Sequence, residues 1–552
     1  MEIIKGFPAT SQNNAQLNVI NIIKHAARNF GRQELVTRKP DGTTFRYTYA
    51  DAYERVQRLA NALHALGVKA GDRVGVLAWN TRKHYEVYFG LPGIGAVMVL
   101  LNLRLAVGEL SYVVNHAGIN LILVDEDLLP VAEAIAPACE AVRGYVVISD
   151  KKLSELETKL EPLYSLEDIL SVAAPEYAWP NVDETSACSA CYTSGTTGRP
   201  KGVYYSHRDV YLQALMFVAN AMLSVRDCIL QIVPMFHVLG WGKPYAGTMA
   251  GAKLVFPGKY SLQELDELAR IIVQEKVTLS GGVPSLWTPL LEHLVKMDPR
   301  PDLSGTRLIC GGSAPPLAIM KDYWGATGAE ILHSYGSTEA QAIVTLNQIT
   351  PWLKEELSEE GRWEHKRKAG HIVVGLDVKI VDDGGAELAR DGKAVGEILL
   401  RGPWVAGSYH DAPGSEAQFS PDGYLKSGDV GSMDPEGYLK ITDRLKDLIK
   451  SGGEWISSVD MENELISHPA ILDAAVVGIA HPKWGERPLA LVVLRHKVDA
   501  QEIRDHLAKR FARWQLPDEV LFIQAIPRTS VGKIDKKVIR AQYKGKRGAR
   551  AQ

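Results

Sequence analysis

Over its first two-thirds the chain alternates short apolar runs with amphipathic helical stretches, a pattern that restricts it to sheets covered by helices. Residues 72–78 (Asp-Arg-Val-Gly-Val-Leu-Ala) read as a strand, and the stretch from Lys83 as the helix after it. Residues 120–124 and 129–139 repeat the pair. Residues 253–256 precede a helix over 261–275, whose Leu262, Leu265, Leu268, Ile271 and Ile272 share one face at helical spacing. A strand over 277–280 follows, and residues 307–310 run as a strand into Gly311-Gly312-Ser313. From about residue 375 the texture changes to short alternating runs, 378–381 and 396–400, separated by Asp-Gly turns, as in a small antiparallel sheet or barrel. Beyond Asp443 a compact stretch carries strands at 474–479 and 489–494 and a helix over 501–511. At 552 residues the chain exceeds one ordinary core. An α/β fold is expected, with a large N-terminal domain over 1–442 whose barrel-like part is 375–442. A small α+β C-terminal domain over 451–540 and a basic tail over 541–552 complete the division. No internal sequence repeat is found.

One loop between apolar stretches carries the chemistry. Residues 192–203 read Tyr-Thr-Ser-Gly-Thr-Thr-Gly-Arg-Pro-Lys-Gly-Val, just after the small-residue run 187–190. A Gly/Ser/Thr cluster by itself marks a solvated loop. Here the only charges, Arg199 and Lys201, are positive. Hydroxyls, bare glycine amides and an ammonium are what a polyphosphate needs, which favours a phosphate-gripping loop. Counting from Gly195, Pro200 occupies the second glycine of a mononucleotide P-loop, so that geometry is excluded.

Five further segments follow in order: residues 233–241 (Val-Pro-Met-Phe-His-Val-Leu-Gly-Trp), 311–315 (Gly-Gly-Ser-Ala-Pro), 334–339 (Ser-Tyr-Gly-Ser-Thr-Glu), 424–429 (Tyr-Leu-Lys-Ser-Gly-Asp) and 443–456. The last of these reads Asp-Arg-Leu-Lys-Asp-Leu-Ile-Lys-Ser-Gly-Gly-Glu-Trp-Ile, and residues 527–533 (Pro-Arg-Thr-Ser-Val-Gly-Lys) close the set. Together with the loop at 192–203, these segments resemble the ordered motifs of the adenylate-forming superfamily. That superfamily holds acyl-CoA synthetases, beetle luciferases and the adenylation domains of peptide synthetases. By motif the likeness covers residues 190–540, and the first 190 residues are compatible with it. Within the superfamily the chain is most similar to medium- and long-chain fatty acyl-CoA synthetases, on residues 236–245 and 282–287, Ser457 and 514–517.

The resemblance implies stacked α/β sheets plus a small β-barrel in the large domain. It also implies a mobile C-terminal domain that rotates about a hinge at 443–450, with Lys446 absorbing the backbone change. It implies an enzyme in which an acid and ATP form an acyl-adenylate, and the thiol of coenzyme A then takes the acyl group. Two anions must meet, so charge neutralisation and positioning dominate catalysis. Lys533 matches the lysine that bridges the substrate carboxylate and the α-phosphate; its alternative is a mobile surface lysine. Thr193, Ser194, Gly195, Thr196, Thr197, Gly198 and Lys201 form the phosphate loop. Thr193 and Glu339 are the candidate Mg²⁺ ligands, the ion preferring a few hard oxygens beside those of the phosphates. Thr338 lies against the phosphates or the metal.

Tyr335 is expected to stack on adenine beside Gly336, with Gly312 and Ser313 as the other wall. Asp429 accepts from the ribose hydroxyls and Arg444 donates to the same sugar, unless the two form a surface ion pair. Lys450 lines the path of the thiol. Trp455 either packs near the base or anchors the small domain's core. His237 shapes the carboxylate pocket, which Trp241 and Gly312 share, and is not an obligate base.

Composition narrows the partners. Hydrophobic content of 46% with 23% charged residues describes a globular chain, and a net charge of −3 gives no electrostatic case for nucleic acid. The five cysteines are sparse and odd in number, which suits a reducing compartment. Cys188 and Cys191 lack a second pair for zinc, leaving buried packing or a redox role. The most apolar run, 89–103, is too short and interrupted to span a bilayer, and no signal-peptide core is seen. A cytoplasmic enzyme is expected, with a small carboxylic acid, ATP, Mg²⁺ and coenzyme A as ligands, no nucleic acid and no transmembrane segment; a homodimer is left open.

Medium- to long-chain fatty acids are the expected substrates. Leu239 and Gly240 depart from the more polar residues expected beside Trp241, and Lys243 places a charge near an apolar site. That lysine either snorkels to solvent or meets a polar substrate group or a CoA phosphate. A CoA ligase for a short thioether or aryl-substituted acid, and an acyl-AMP ligase loading a separate carrier protein, are the alternatives.

Overall fold

The apolar runs of the first two-thirds become parallel strands buried on both faces, as parallel sheets require. The computed structural model describes residues 4–11, 14–193, 199–261, 263–452, 454–528 and 534–543, with Leu239 and Trp241 described by backbone alone. One seven-stranded sheet has the order Leu163–Ser165, Tyr145–Ile148, Ile119–Asp125, Arg73–Leu77, Val97–Leu100, Ala187–Tyr192, Gly202–Ser206. A second has the order Glu330–His333, Arg307–Cys310, Leu279–Gly282, Cys228–Leu230, Lys253–Phe256, Glu34–Arg38, Thr44–Thr48. Each is parallel except for a hairpin at one edge. The two orders correspond strand for strand, with the N-terminal hairpin serving the second sheet and the 187–206 hairpin serving the first. The architecture is therefore repeated without a sequence repeat, because topology follows the spacing of apolar runs and not residue identity.

Helix Arg82–Gly93 is buried along its whole length and links both sheets. The Arg82 N–H donates to Thr37 Oγ1 of the second sheet at 2.9 Å, and Lys83 Nζ to the Ser149 carbonyl beside the first at 2.7 Å. Its Tyr85 hydroxyl meets Thr248 Oγ1 at 2.8 Å, and Tyr245 OH donates to the Tyr88 carbonyl at 2.9 Å, locking it to helix Val238–Met249. The charges this helix buries are paired: Glu86 with Arg55 at 2.8 Å and Arg82 at 3.2 Å, Lys83 with Asp150 at 2.7 Å. Unpaired, each would cost on the order of several kcal/mol.

Several boundaries differ from those expected: the helix read over 129–139 ends at Ile135, the strands read over 474–479 and 489–494 lengthen to Ile471–His481 and Gly485–Leu494, and two further shifts have a visible hydrogen-bond cause. The helix expected from 261 begins at Leu265, because the Ser261 N–H and hydroxyl bond the Glu264 carboxylate in a turn; Leu262 lies outside the described residues. The strand expected from 277 begins at Leu279, because the Val277 N–H still closes the preceding helix on the Ile272 carbonyl.

The region expected to hold a barrel forms a six-stranded antiparallel sheet. Its order is Thr345–Leu346, Gly370–Ile372, Tyr438–Arg444, Leu425–Met433, Gly396–Arg401, Asp377–Val381, so it reaches back before residue 375 for two strands. The last sheet pairs Glu454–Ile456, Ile449–Ser451, Gly485–Leu494 and Ile471–His481, with Glu519–Phe522 parallel to Gly485–Leu494. Helix Ala500–Leu507, shorter than the 501–511 expected, starts on Asp499, whose side chain accepts the N–H groups of Gln501 and Glu502. Among the described residues no helix is long and apolar enough to cross a membrane.

Candidate active site

The phosphate-loop segment is the connection of an edge hairpin. Tyr192 pairs with Gly202 across Ala187–Tyr192 and Gly202–Ser206. The Thr193 N–H donates to the Lys201 carbonyl at 2.9 Å, and the Lys201 N–H to Thr193 Oγ1 at 3.2 Å, so the loop is held at its neck. Ser194, Gly195, Thr196, Thr197 and Gly198 lie outside the described residues. Lys201 Nζ sits 4.8 Å from the Tyr409 ring centroid, and Tyr409 OH donates to Glu339 Oε1 at 2.8 Å. Tyr205 OH donates to the Thr338 carbonyl, and the Ala406 N–H to the Glu339 carbonyl at 2.7 Å. Two motifs far apart in sequence thus meet through tyrosines that neither motif contains. Tyr205 could have been found from its place just after the loop; Tyr409 carries no local signal.

The segment 334–339 turns back on itself. A Cβ on Gly336 would stand 1.5 Å from the Ala342 carbonyl oxygen, so only glycine fits, and Gln341 and Ala342 take positive φ values of 51° and 88°. This turn presents Tyr335, whose hydroxyl donates to Asp429 Oδ2 at 2.6 Å. Asp429 Oδ1 lies 3.5 Å from Arg444 Nε, the two residues standing opposite each other on adjacent strands. Burial, followed by the Asp429 charge, holds the Tyr335 hydroxyl protonated far above the ordinary tyrosine range. Gly312, at φ +80°, leaves strand Arg307–Cys310 where the Ser334 N–H bonds the Cys310 carbonyl at 2.9 Å. Gly312, Ser313 and Tyr335 therefore follow the carboxyl ends of neighbouring parallel strands, where open α/β sheets bind ligands.

His237 is positioned by a residue that nothing in the sequence singles out. Asn80 Nδ2 donates to the carbonyls of Gln231, Ile232 and Val233 at 2.7, 3.1 and 3.0 Å, while its Oδ1 accepts the Met235 N–H at 2.7 Å. Gly240 is required as well, since a Cβ would stand 2.2 Å from the Pro234 oxygen. His237 then lines a cleft with Cys191, Tyr192, Val238 and Thr338, joining the third motif to the first two. The side chain of Trp241 lies outside the described residues. Cys188 and Cys191 are fully buried; burial pushes the Cys188 thiol up to about 12 and raises Cys191 as well, which fits packing and not redox chemistry.

Lys446 occupies the turn after the Tyr438–Arg444 strand, where the N–H groups of Asp447 and Leu448 both donate to the Arg444 carbonyl at 2.8 and 2.9 Å. Lys450 and Trp455 face each other across a hairpin of the five-stranded sheet, with Nζ 5.0 Å from the ring centroid. Trp455 is 44% exposed, so it does not anchor the small domain's core. Lys533 lies outside the described residues; its neighbours Arg528 and Ile534 pair with each other. Among the described residues no group of three or more His, Cys, Asp or Glu could hold a metal alone. A single carboxylate, Glu339, joined through Tyr409 to Lys201, is the kind of donor expected where phosphate oxygens complete a Mg²⁺ shell.

Residues 23–410 match the AMP-binding enzyme family, and residues 460–533 match the AMP-binding enzyme C-terminal domain. The chain belongs to the AMP-binding enzymes. It is 43% identical to a long-chain-fatty-acid–CoA ligase of Thermus thermophilus over 98% of both chains. It is 38% identical to a medium-chain-fatty-acid–CoA ligase of Ectopseudomonas oleovorans over 96% of both. It is 37% identical to a 3-methylmercaptopropionyl-CoA ligase of Ruegeria lacuscaerulensis over 96% of this chain and 97% of the other. Among solved structures, an anthranilate CoA ligase in complex with anthranoyl-AMP superposes with a TM-score of 0.83, at 26% identity, over 95% of this chain and 97% of the other.

Proposed function

We propose that this acid–thiol ligase converts a medium- to long-chain fatty acid, ATP and coenzyme A into acyl-CoA, AMP and pyrophosphate, in the cytoplasm. The observation that carries the proposal is the meeting of Tyr335, Asp429 and Arg444, from three separate motifs, where the turn that presents Tyr335, Thr338 and Glu339 reaches a strand pair carrying Asp429 and Arg444. An aromatic face, a buried carboxylate and a guanidinium are the groups that recognise a nucleoside, while Lys201 and the hydroxyl loop suit its phosphates.

In the first half-reaction the substrate carboxylate attacks the α-phosphorus and pyrophosphate leaves. Lys533 neutralises the meeting anions, and Asp429 and Arg444 hold the ribose. Tyr335 flanks the adenine opposite Gly312 and Ser313. Mg²⁺, held by Glu339 with Thr193, would offset the phosphate charge. His237, steadied by Asn80, shapes the carboxylate pocket. In the second half-reaction the CoA sulfur attacks the acyl carbonyl and AMP leaves; Lys450 lines the thiol path after the C-terminal domain has turned about Lys446.

Acid-dependent pyrophosphate release, measured with octanoate, dodecanoate, hexadecanoate and aryl acids with and without coenzyme A, tests the reading. Release that peaks among the fatty acids and turns over only with coenzyme A is expected. Release indifferent to coenzyme A, or confined to other acids, would overturn it. Asp429→Ala is expected to raise KM for ATP by about tenfold to a hundredfold (~1.4–2.7 kcal/mol), with KM for the acid little changed. An unaltered KM for ATP would remove Asp429 from the ribose site. Trp241→Ala is expected to shift the chain-length optimum, and an identical profile across the acids would show that no gate stands there.

A further inference from the structure

Lys243 stands in helix Val238–Met249, six residues after His237 and two after Trp241. It is 6% exposed, so it does not snorkel to solvent as a lysine beside apolar surface ordinarily does. Its ammonium instead lies over a bared strand end. A Cβ on Gly281 would stand 3.0 Å from Lys243 Nζ and 3.2 Å from Cε. Gly281 and Gly282 finish strand Leu279–Gly282, paired with Ile309 and Cys310 of the strand that continues into Gly311 and Gly312. Lys243 is therefore held at the carboxyl edge of the second sheet, one strand from the glycine wall of the proposed site. From Val238, where the helix starts beside His237, to Lys243 the rise is about 7.5 Å, a distance that several methylenes span.

The other side of the same helix is polar as well. Gly242 lies against the amide of Gln213, where a Cβ would stand 2.8 Å from Nε2. Gln213 and Gln341 are 1% and 0% exposed, yet Gln213 Oε1 and both side-chain polar atoms of Gln341 have no hydrogen-bond partner. Leaving such atoms unsatisfied costs on the order of 1–3 kcal/mol each. A wall shaped for a plain alkyl chain has no use for these groups or for a desolvated ammonium, whose charged form burial disfavours enough to bring its pKa to about 8.

We propose that Lys243 reads the tail of the acid, donating to an oxygen acceptor, carboxylate or carbonyl, that the substrate carries several methylenes from its reacting carboxyl. Among medium-chain fatty acids, one that carries this oxygen is then preferred over the plain alkanoate of the same length. This rests on the ligase reading above. An ammonium has three N–H donors, so it can take a substrate oxygen alongside the protein groups it meets. Specificity follows because an acid lacking the acceptor forgoes the additional bond that the buried ammonium would donate to it.

The test compares kcat/KM for octanoate, its terminal oxo acid and octanedioate, read as pyrophosphate release, in the wild type and in Lys243→Met. Methionine keeps the volume and removes the charge. The wild type is expected to favour an oxygenated acid over octanoate by about tenfold or more, and the variant to reverse that order with KM for ATP unchanged. Which oxygenated acid leads distinguishes carboxylate from carbonyl. Octanoate ranking first in the wild type overturns the proposal and leaves the ligase standing. An unchanged ratio in Lys243→Met overturns it in the same way. No release with any acid sinks both readings. Should the variant fail to fold, the wild-type ranking decides alone.

Discussion

Lys533→Ala is expected to lower acid-dependent pyrophosphate release by about 10²- to 10³-fold (~2.7–4 kcal/mol), the cost of removing one preorganised charge from a developing anionic centre. Adenylation joins a carboxylate to a triphosphate, so a cation between them acts mainly in the transition state. Thioester formation from supplied acyl-AMP has no such meeting of anions, because AMP is already a good leaving group. That half-reaction should stay within a few-fold of wild type. Measuring the two half-reactions separately, with ATP plus acid and with acyl-AMP plus coenzyme A, gives the check. An equal loss in both would mean that Lys533 supports the fold or binds a ligand common to both steps.

The second large effect falls on the opposite half-reaction. Lys446 sits inside the turn whose Asp447 and Leu448 N–H groups converge on the Arg444 carbonyl. Proline there fixes φ at 446 and restricts Leu445, so the backbone change that a domain rotation demands is barred. Lys446→Pro is expected to cut acyl-CoA formation about 100-fold or more, equivalent to at least ~2.7 kcal/mol. Adenylate should still form and accumulate. Quenched-flow detection of acyl-AMP reads this directly, and undiminished transfer to coenzyme A would refute a hinge at this position. The two variants together separate the half-reactions: one blocks entry into the adenylate, the other its exit.

Much of the fold could be read from periodicity. Residues 253–256 and 307–310 are strands with the limits read from the sequence, because an apolar run bounded by turns has little freedom once both faces are buried. Element ends read less well where side chains intervened, as when Glu264 captured Ser261 and delayed a helix. The site residues came from motifs, and Tyr335, Asp429 and Arg444 do come together. Asn80 and Tyr409 escaped notice because their partners are backbone and side-chain groups distant in sequence: Asn80 acts on carbonyls about 150 positions away, a relation no local pattern encodes.

The sequence by itself determined the class of fold, the order of the motifs and the chemistry they resemble, because each rests on spacing and residue type within short segments. Only the tertiary structure decided which strands share a sheet, and that two sheets of one topology stack around a buried helix. It alone revealed that the charge at Lys243 points inward. From sequence, that lysine had two opposite readings, since its long side chain can carry the charge to water or hold it in the interior. What closed the first route is burial: helix Val238–Met249 sets the ammonium over Gly281, and only the packing of separate elements fixes which way a side chain of that length must run.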